Sequence, residues 1–367
     1  MSRVPTIKDV AERAGCGIAT VSRVLNGTGS ASAATRERVL QAAEALGFEF
    51  NALGRSLQSS STKTIGCVVP SLANPVFADA VQGAQEVALA AGYQLLLACS
   101  NYDEELEFHA IRTLLAKQVD ALVLTVSNAE DSRSLDLVKA RQVPCCLMFN
   151  SATASFPSWA VDNRAAAAEV ARAFAAAGHR HTGFLALRFN GSDRSRQRYE
   201  GFVEACRAEG MDEPALLEIS EQEGQLLELL DALLARQTRL TALFASNDLL
   251  ALAAMKAARG LGRRVPQDLS IAGFDGIVTG LIVEPNLATV VTDPRAMGEG
   301  ATRTVLARLA GAPLPHVPDP ALSFEFRPGG TLAPPRAGTR DDGEAATPPP
   351  STLQPPNKQA FSRESQP

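Results

Sequence analysis

Hydrophobic positions in the first 47 residues follow a helical period. Apolar side chains recur there every three or four residues, with polar residues between them. The period predicts three short helices, at residues 7–14, 18–25 and 33–46. Gly15 and Gly47 stand where helices commonly end, and Ser32 suits the N-cap of the third helix. The inward stripe of that helix is predicted to be Val39, Leu40, Ala43 and Leu46. Three such helices can form a small core of their own.

From residue 65 the pattern changes to short apolar runs that alternate with longer amphipathic stretches. The runs predict strands at residues 65–69, 94–99, 121–126, 145–149, 183–187, 216–219, 242–245, 269–274 and 289–291. The stretches predict helices that include residues 76–91, 104–117, 134–141, 196–208, 249–259 and 297–309. Such alternation is typical of parallel sheets with helices on both faces. A second series begins after residue 163, so we predict two similar α/β lobes, several crossovers between them and a hinged cleft.

Composition and charge indicate two unlike parts. With 367 residues, 46% of them hydrophobic, the chain can form more than one domain core. Its net charge is −5, but residues 1–63 carry eight basic and five acidic side chains, which makes +3 and leaves −8 for the remainder. A basic beginning on an acidic body indicates nucleic-acid binding at one end and argues against polyanion binding by the whole chain.

Cysteine spacing and hydropathy predict neither a metal site nor a membrane segment. The six cysteines show no C-x2-C spacing and no evident disulfide framework, so we expect buried thiols, no metal and no cofactor. No basic region leads into an apolar run at the N-terminus, and no apolar stretch is long enough to span a membrane. We therefore predict a cytoplasmic protein that binds no membrane.

The second predicted helix has a face suited to DNA. If Val21, Val24 and Leu25 point inward, the opposite face carries Ile18, Ala19, Ser22 and Arg23. An arginine there can donate two hydrogen bonds to a guanine edge, and small apolar side chains can meet a thymine methyl. The hydroxyls of Thr6, Thr20 and Ser22 suit phosphates. The alternative is a helical hairpin of any globular domain, with Arg23 as a solvated surface charge.

Residues 6–26 resemble the N-terminal helix-turn-helix of the lac repressor (LacI/GalR) family. The resemblance rests on Val10-Ala11, the Gly15 turn, the run from Thr20 to Val24 and Asn26. It implies base reading by Ile18, Ala19 and Arg23, and a DNA contact by Asn26. One departure is Cys16-Gly17, where the family usually has Val-Ser. Glycine has no side-chain oxygen, so a cap bond and a phosphate contact are expected to be missing.

Residues 51–57 resemble the hinge helix of the same family, which orders on DNA, pairs with its dimer mate and places a leucine in the minor groove. Leu57 occupies that leucine position, and an apolar wedge can kink a duplex. Phe50 stands in place of the usual proline, and Gly54 in place of the common alanine. Glycine inside a helix costs about 1 kcal/mol relative to alanine, so we expect this hinge to order less readily. The alternative is a frayed linker with an incidental leucine.

The body, from residue 65 to about 331, resembles the two-lobed periplasmic-binding-protein-like effector domain of this family. The supporting segments are residues 70–77, 119–121, 161–163, 178–180, 198–202, 246–248 and 273–275. We therefore predict an all-α headpiece at residues 1–50, a hinge and linker at 51–63, a two-lobed α/β domain at 64–331 and a disordered tail at 332–367. The tail lacks the leucine heptads through which the lac repressor tetramerises, so a homodimer is expected.

Five residues are candidates for binding a small molecule in the cleft. Ligands of α/β lobes sit at the carboxyl ends of strands. There Asp275 can accept hydrogen bonds, Arg198 can clamp a carboxylate or diol, and Asn247 can do both, while Phe77 and Phe149 can form an apolar platform. The alternatives are ordinary ones: an Asp after a strand often caps a helix, and an Arg on a helix usually faces solvent.

Within the family, gluconate-utilisation repressors are the branch that this chain most resembles, although Asp275 stands where that branch usually has histidine. A buried carboxylate would repel a sugar acid unless Arg188 or Arg198 offset it, so sugar and sugar-acid effectors both stay open. We predict a repressor controlled by such an effector, as inducer or corepressor. One alternative is a sugar-binding protein without a regulatory role, and another is an enzyme. No P-loop, nucleophile elbow or metal-ligand cluster supports the second.

Overall fold

The computed structural model describes residues 5–26, 30–48, 61–187, 189–219, 225–313 and 322–336. Several predictions fall outside these ranges. They concern the hinge at residues 51–57, with Gly54 and Leu57, and the chain beyond Arg336. Arg188 and the side chain of Asn26 also lie outside the described part.

Three helices at the N-terminus pack around one small core. They are α1 (Ile7–Ala14), α2 (Ile18–Asn26) and α3 (Ala33–Leu46). Gly15 and Gly47 end α1 and α3 in the left-handed region, with φ of 64° and 60°, a conformation that glycine adopts without steric cost. The Ser32 hydroxyl caps α3 by accepting from the Thr35 amide at 3.2 Å. The predicted helix ends are therefore set by local backbone chemistry.

The inward stripe of α3 differs from the predicted one at one position. Leu40 is 51% exposed, whereas Ala42 is buried beside Val39 and Ala43. On a helix, positions 39, 42, 43 and 46 fall on one side, and position 40 lies about 100° away from position 39. The prediction placed Leu40 inside because it is large and apolar, but the helical geometry puts the smaller Ala42 there.

The first lobe is a five-stranded parallel sheet with helices on both faces. Its strand order is β2-β1-β3-β4-β5. The strands are β1 (Thr64–Val69), β2 (Gln94–Cys99), β3 (Ala121–Leu124), β4 (Cys145–Met148) and β5 (Ser158–Trp159). The intervening helices are α4 (Pro75–Ala90), α5 (Glu104–Ala116) and α6 (Arg133–Arg141). The sequence pattern did not predict β5, since two residues leave no periodic signal.

The second lobe has six strands in the order β11-β10-β9-β8-β6-β7, parallel except for β11. The strands are β6 (Thr182–Leu187), β7 (Ala215–Ile219), β8 (Ala242–Ala245), β9 (Ser270–Asp275), β10 (Ala288–Val291) and β11 (Glu325–Arg327). Its helices are α7 (Asn163–Ala177), α8 (Asp193–Ala208), α9 (Leu226–Arg236), α10 (Asp248–Gly260) and the short α11 (Val278–Ile282).

Helix α12 (Pro294–Leu309) follows a strand of the second lobe but packs on the first, against α4. Glycines allow the two helices to come very close. A Cβ at Gly298 would lie 1.8 Å from the Ala80 carbonyl oxygen, and one at Gly83 would lie 2.4 Å from that of Arg295. The chain thus passes between the lobes after β5, after β10 and after α12. The sequence predicted several crossovers between the lobes, and the structure shows where they occur.

The ordered second lobe extends beyond residue 331, where the disordered tail was predicted to begin. Leu332 packs against the core, and the Ala333 carbonyl oxygen lies 3.0 Å from His179 Nε2. Ser270 and Ala333 also exchange two hydrogen bonds, at 3.0 and 3.1 Å. The prediction was wrong for these first residues of the tail, because their partners are more than 60 residues away and leave no local pattern.

Candidate functional site

One face of α2 carries exposed side chains between Ile18 and Arg23. Ile18 is 45% exposed, Ala19 and Arg23 are exposed as well, and Val21 and Val24 are buried on the opposite side. The Arg23 side chain lies along this face, where its Nε donates to the Ala19 carbonyl oxygen at 3.2 Å. The residues predicted to read bases therefore share one exposed surface of α2.

The residues predicted to contact phosphates differ in their exposure and in their hydrogen-bond partners. Thr20 and Ser22 are half-buried at the edges of the α2 face. Thr6 is the N-cap of α1, and its amide and hydroxyl both donate to Asp9 Oδ2 at 2.6 Å. Gly17 precedes α2, where its carbonyl oxygen accepts from the Thr20 amide at 2.9 Å. As expected from the sequence, that position offers no side-chain oxygen.

A cleft lies between the two lobes of the body. All five candidate ligand residues line it: Phe77 and Phe149 from the first lobe, and Arg198, Asn247 and Asp275 from the second. Sequence reasoning missed the other polar and aromatic residues of its lining, which are Asn74, Tyr102, Ser192, Arg194, Ser195 and Ser246. The carboxyl ends of β6, β8 and β9 supply much of this wall, as parallel sheets commonly do.

Aromatic side chains form the first-lobe wall of the cleft. Phe77 and Phe149 meet edge to face with ring centroids 5.0 Å apart, and Tyr102 lies 6.3 Å from Phe77 in the same manner. Both phenylalanines are buried. Such a wall offers an apolar surface to the C–H faces of a ligand and keeps the polar opposite wall partly dry.

Arg198 is held firmly on the second-lobe wall. Its Nε donates to Asn163 Oδ1 at 2.8 Å and its Nη1 to the Ser246 carbonyl oxygen at 2.5 Å. The guanidinium carbon lies 3.5 Å from the centroid of the Phe274 ring. Burial lowers the pKa of Arg198 to about 10, so the side chain remains a cation at neutral pH. Arg198 is therefore a buried cation of the cleft wall, and the alternative of a solvent-facing arginine does not apply to it.

Asp275 is a buried carboxyl group beside that cation. Its Oδ1 lies 3.7 Å from Arg198 Nη1. Burial raises the pKa of Asp275 to about 6, although Arg198 and a hydrogen bond from Asn74 act in the opposite direction. Burial and the charge of Asp275 likewise raise the pKa of Asp248 to about 7. The ionised form of Asp275 can accept hydrogen bonds and its protonated form can donate one, and a polyhydroxylated ligand can use both.

The helix-cap alternative applies to Asn247 rather than to Asp275. Asn247 is the N-cap of α10, and its Oδ1 accepts from the Leu250 amide at 2.8 Å. Asp275 precedes α11, but the cap position there belongs to Ile277. Asp275 also has an unusual backbone, with φ of 116°. Residues other than glycine are sterically strained in that region, so the orientation of this carboxyl group is accompanied by local backbone strain.

A buried polar network joins the lobes at the edge of the cleft. Asp193 accepts from the Ala129 amide and from Asn150 Nδ2, each at 3.0 Å. Arg194 Nη1 donates to the Val126 carbonyl oxygen at 2.7 Å and to Asp193 Oδ1 at 3.1 Å. Asp193 and Arg194 belong to the second lobe, and their partners Ala129, Asn150 and Val126 to the first. Movement of the lobes must therefore act on these contacts.

In the described ranges, no group of three or more His, Cys, Asp or Glu side chains is arranged to hold a metal ion. Among the helices of the same ranges, none is long and apolar enough to cross a membrane.

Comparison with known proteins identifies the family. Residues 6–51 match the model of bacterial regulatory proteins of the lacI family, and residues 171–331 match a periplasmic binding protein-like domain. The HTH-type transcriptional regulator GntR of Escherichia coli (strain K12) is 32% identical over 331 residues, which cover 89% of this chain and 98% of that protein. The chain belongs to the lacI family.

Other lacI-family proteins agree with this assignment. Catabolite control protein A of Priestia megaterium is 30% identical over 81% of this chain and 90% of its own length. The crystal structure of a LacI-family regulator from Silicibacter pomeroyi superposes with a TM-score of 0.78 at 27% identity, and covers 90% of this chain and 99% of that one.

Membership of the lacI family confirms the predicted fold class, a helical headpiece followed by a two-lobed α/β domain. It also confirms the predicted function, that of a DNA-binding transcriptional regulator. The alternative of a sugar-binding protein without a regulatory role does not account for the helix-turn-helix. The relatives are transcriptional regulators rather than enzymes.

Proposed function

We propose that this lacI-family regulator is a homodimeric repressor whose affinity for operator DNA is set by a polyhydroxylated small molecule, a sugar or a sugar acid, bound between its lobes. The observation that carries the proposal is the convergence of Phe77, Phe149, Arg198, Asn247 and Asp275 on one interlobe cleft. The protein acts by binding rather than by turnover. It works in the cytoplasm, where bacterial operators are found.

In this proposal the exposed face of α2 enters the major groove. Arg23 donates to a guanine edge, and Ile18 and Ala19 contact thymine methyl groups. Thr20, Ser22, Thr6 and Asn26 position the headpiece on the backbone, with the Thr6 hydroxyl exchanging its Asp9 partner for a phosphate. Leu57 enters the minor groove between base steps.

Effector control follows from the distribution of the cleft residues over two lobes. A ligand that contacts Phe77 and Phe149 on one side and Arg198 and Asp275 on the other favours the arrangement in which both sets are within reach. Closure then changes the separation of the two hinge segments in the dimer and so the operator affinity. A ligand that favours the DNA-binding arrangement is a corepressor, and one that disfavours it is an inducer.

The second copy of the chain has a suitable surface on α11. Val278, Leu281 and Ile282 are 69%, 48% and 77% exposed and lie on one short helix of the second lobe. Clustered apolar side chains of this kind are uncommon on a free surface. We place part of the homodimer contact there.

The DNA-reading assignment is tested with Arg23→Ala. Removing the base contact should weaken operator binding by about 1–3 kcal/mol, or roughly 5- to 150-fold, and relax the sequence preference at one base pair. Arg38→Ala is the matched control, because it removes the same charge from the exposed side of α3. Titration by gel shift at fixed salt measures both. Equal operator affinities of Arg23→Ala and wild type, with both folded by circular dichroism, would show that α2 does not read the operator.

The effector site is tested with Arg198→Ala and Asp275→Ala. Each variant should bind operator like wild type, yet lose at least several-fold in ligand affinity, because a buried polar partner is left unmatched at a cost of about 1–3 kcal/mol. Calorimetric titration uses the compound that raises the Tm of the wild type most in a screen of sugars and sugar acids. Wild-type ligand affinity in both variants would place the ligand outside this cleft.

A further inference from the structure

Asp248 is a buried carboxyl group that binds a turn of the backbone. It is the first residue of α10 and does not belong to the cleft lining. Its Oδ2 accepts from the Gly276 and Ile277 amides, each at 2.8 Å. Its Oδ1 accepts from the Thr289 hydroxyl at 2.5 Å. A carboxyl group with several hydrogen bonds fixes the positions of its donors, so Asp248 holds residues 276 and 277 in place.

The turn that Asp248 holds connects the cleft to the proposed dimer surface. Asp275, which lines the cleft, comes directly before the turn. Helix α11, with its exposed apolar side chains, begins directly after it at Val278. Only Gly276 and Ile277 lie between the two. A displacement at one end of so short a connection therefore reaches the other end unless the turn absorbs it.

Strand β10 also packs against this turn and leaves it little freedom. A Cβ at Gly276 would lie 2.8 Å from Val291 Cα, so the two backbones are in direct contact. The φ angle of Gly276 is 80°, which glycine adopts without steric cost. The Thr292 amide donates to the Asp275 carbonyl oxygen at 3.2 Å. With Asp248 and β10 as its neighbours, the turn has little space in which to absorb a displacement.

A helix cap does not account for Asp248, because Asn247 already caps α10. The fold also leaves space for this carboxyl group at Gly273, where a Cβ would lie 2.2 Å from Asp248 Oδ1. Burial, and then the charge of Asp275, raise the pKa of Asp248 to about 7. A buried carboxyl group is unfavourable unless its oxygens are hydrogen-bonded, so it stabilises the one turn conformation that supplies the donors.

We propose that Asp248 is a positioning residue that links ligand binding in the cleft to dimerisation through α11, because it holds the two residues between Asp275 and that helix. The inference rests on the proposed function, which supplies both the ligand and the dimer contact. A ligand bound to Asp275 orders the turn, and an ordered turn presents α11 to the second copy at a smaller cost in conformational entropy. Ligand binding therefore tightens the dimer, and dimerisation tightens ligand binding by the same factor.

The first test measures the dimer of the wild type with and without probes. Full-length protein, labelled with a fluorophore at its α-amino group, is followed by sedimentation velocity from nanomolar to micromolar concentration. The probes are D-glucose, D-galactose, D-ribose, D-gluconate and D-glucuronate. At least one probe that raises the Tm should lower the dissociation constant of the dimer about fivefold or more.

The second test isolates Asp248 with two substitutions. Asp248→Ala removes the acceptor of both amides, so a saturating probe should change the dimer constant less than about twofold. Asp248→Asn should retain most of the probe effect. Its one oxygen can accept from both amides, and its NH₂ group can donate to the Thr289 hydroxyl, which has the Val290 carbonyl oxygen at 3.3 Å as another acceptor. Saturation is set by calorimetric titration of each variant.

Asp268→Ala is the matched control. Asp268 Oδ2 also accepts from a backbone amide, that of Arg264 at 2.9 Å, but it lies at the end of β9 away from Asp275. This variant should show the wild-type probe effect. A purely structural Asp248 would lower the Tm of Asp248→Ala and leave the factor between the dimer constants with and without probe unchanged. That factor therefore separates positioning from stability.

Three results would overturn the inference. They are a wild-type dimer that no probe tightens, a probe effect of wild-type size in Asp248→Ala, and complete loss of probe binding in that variant, which would place Asp248 in the ligand site itself. The first result needs no variant and so holds even if Asp248→Ala fails to fold. A probe that changes operator affinity in a gel shift without tightening the dimer would leave the proposed function intact and remove only the linkage.

Discussion

At the scale of single residues, Asp275 is a cleft residue whose environment lowers the stability of the folded protein. The carboxyl group is buried, has a left-handed backbone and neighbours a second buried carboxyl group, that of Asp248. Each of these features costs free energy in the absence of a ligand. Arg198 and Asn74 offset only part of the cost, because the pKa of Asp275 remains raised to about 6. The carboxyl group of Asp275 therefore destabilises the folded chain, but it can form hydrogen bonds with a ligand.

The raised pKa makes stability depend on pH in a defined direction. The folded protein holds the Asp275 proton up to about pH 6, whereas the unfolded chain loses it near the ordinary value of 3.8. The stability that this group contributes is therefore fully present below about pH 4 and is lost as pH rises through 6. We expect the Tm of wild type relative to that of Asp275→Asn to increase as pH is lowered from 7 to 4.5.

Thermal unfolding of both proteins in buffers of equal ionic strength measures this difference. The comparison with Asp275→Asn removes the titration of groups that Asp275 does not influence, including His179, whose burial lowers its pKa and acts in the opposite sense. Asp248 is not removed, because the charge of Asp275 contributes to its raised pKa, and the two carboxyl groups act in the same direction. A difference in Tm that stays constant over this range, or that decreases toward acid, would show that Asp275 is ionised in the folded protein throughout.

At the scale of elements, the segment through which the chain enters the body is held by a clamp, a set of hydrogen bonds from residues 61–63 to one carboxylate. Asp120, just before β3, accepts from the Ser61 hydroxyl at 2.5 Å, the Thr62 amide at 2.8 Å and the Lys63 amide at 3.0 Å. A carboxylate that collects several donors fixes the direction of a segment better than one backbone bond does. The clamp thus defines where the linker to the headpiece leaves the first lobe.

We expect Asp120→Ala to open this segment without unfolding the lobe. Without the carboxylate, residues 61–63 fray more often, and Lys63 becomes a substrate for trypsin. Limited proteolysis followed by mass spectrometry should show cleavage after Lys63 at least several-fold faster than in wild type. Asp131→Ala removes an exposed carboxylate of the same lobe and is the control. Cleavage at the same rate in all three proteins would mean that β1, not Asp120, holds the segment.

At the scale of the whole molecule, the C-terminal segment closes the second lobe. Thr331 accepts from the Ile271 amide at 2.9 Å, and Ala333 lies against His179 and Ser270. His179 is itself buried and bonded through Nδ1 to the Thr241 hydroxyl at 2.9 Å. Residues 60 or more positions apart thus share one hydrogen-bonded network, which ends where the composition becomes rich in proline and charge.

Two truncations separate the packed residues from the rest of the tail. Removal of residues 333–367 should lower stability by about 1–3 kcal/mol, because His179 and Ser270 lose a buried partner. Removal of residues 337–367 should leave the Tm unchanged and is the matched control. Light scattering should show a dimer for both, since the tail has no leucine heptads. Equal Tm values for the two truncations would exclude a structural role of Ala333, and a monomer would show that the tail contributes to assembly.

The sequence by itself determined the features that depend on near neighbours. Helix ends at Gly15 and Gly47 and the cap at Ser32 were predictable because left-handed backbone and capping bonds involve residues within one turn. The alternation of strands and helices was predictable because burial on a periodic element repeats along the chain. Together with the motif of residues 6–26, these features were enough for the fold class, the exposed face of α2 and the family.

The tertiary structure decided what depends on contacts between distant residues. Of the evenly spaced Arg194, Arg196 and Arg198, the sequence analysis selected only Arg198 for the cleft, whereas the structure places Arg194 in the lining as well and Arg196 outside it. The sequence pattern likewise did not show that α12 returns to the first lobe or that Ala333 packs on His179. It also did not show that Ala42 is buried while the more hydrophobic Leu40 is exposed. Propensity and periodicity report the neighbours of a residue along the chain, whereas the partners of a buried charge are chosen by how whole elements pack.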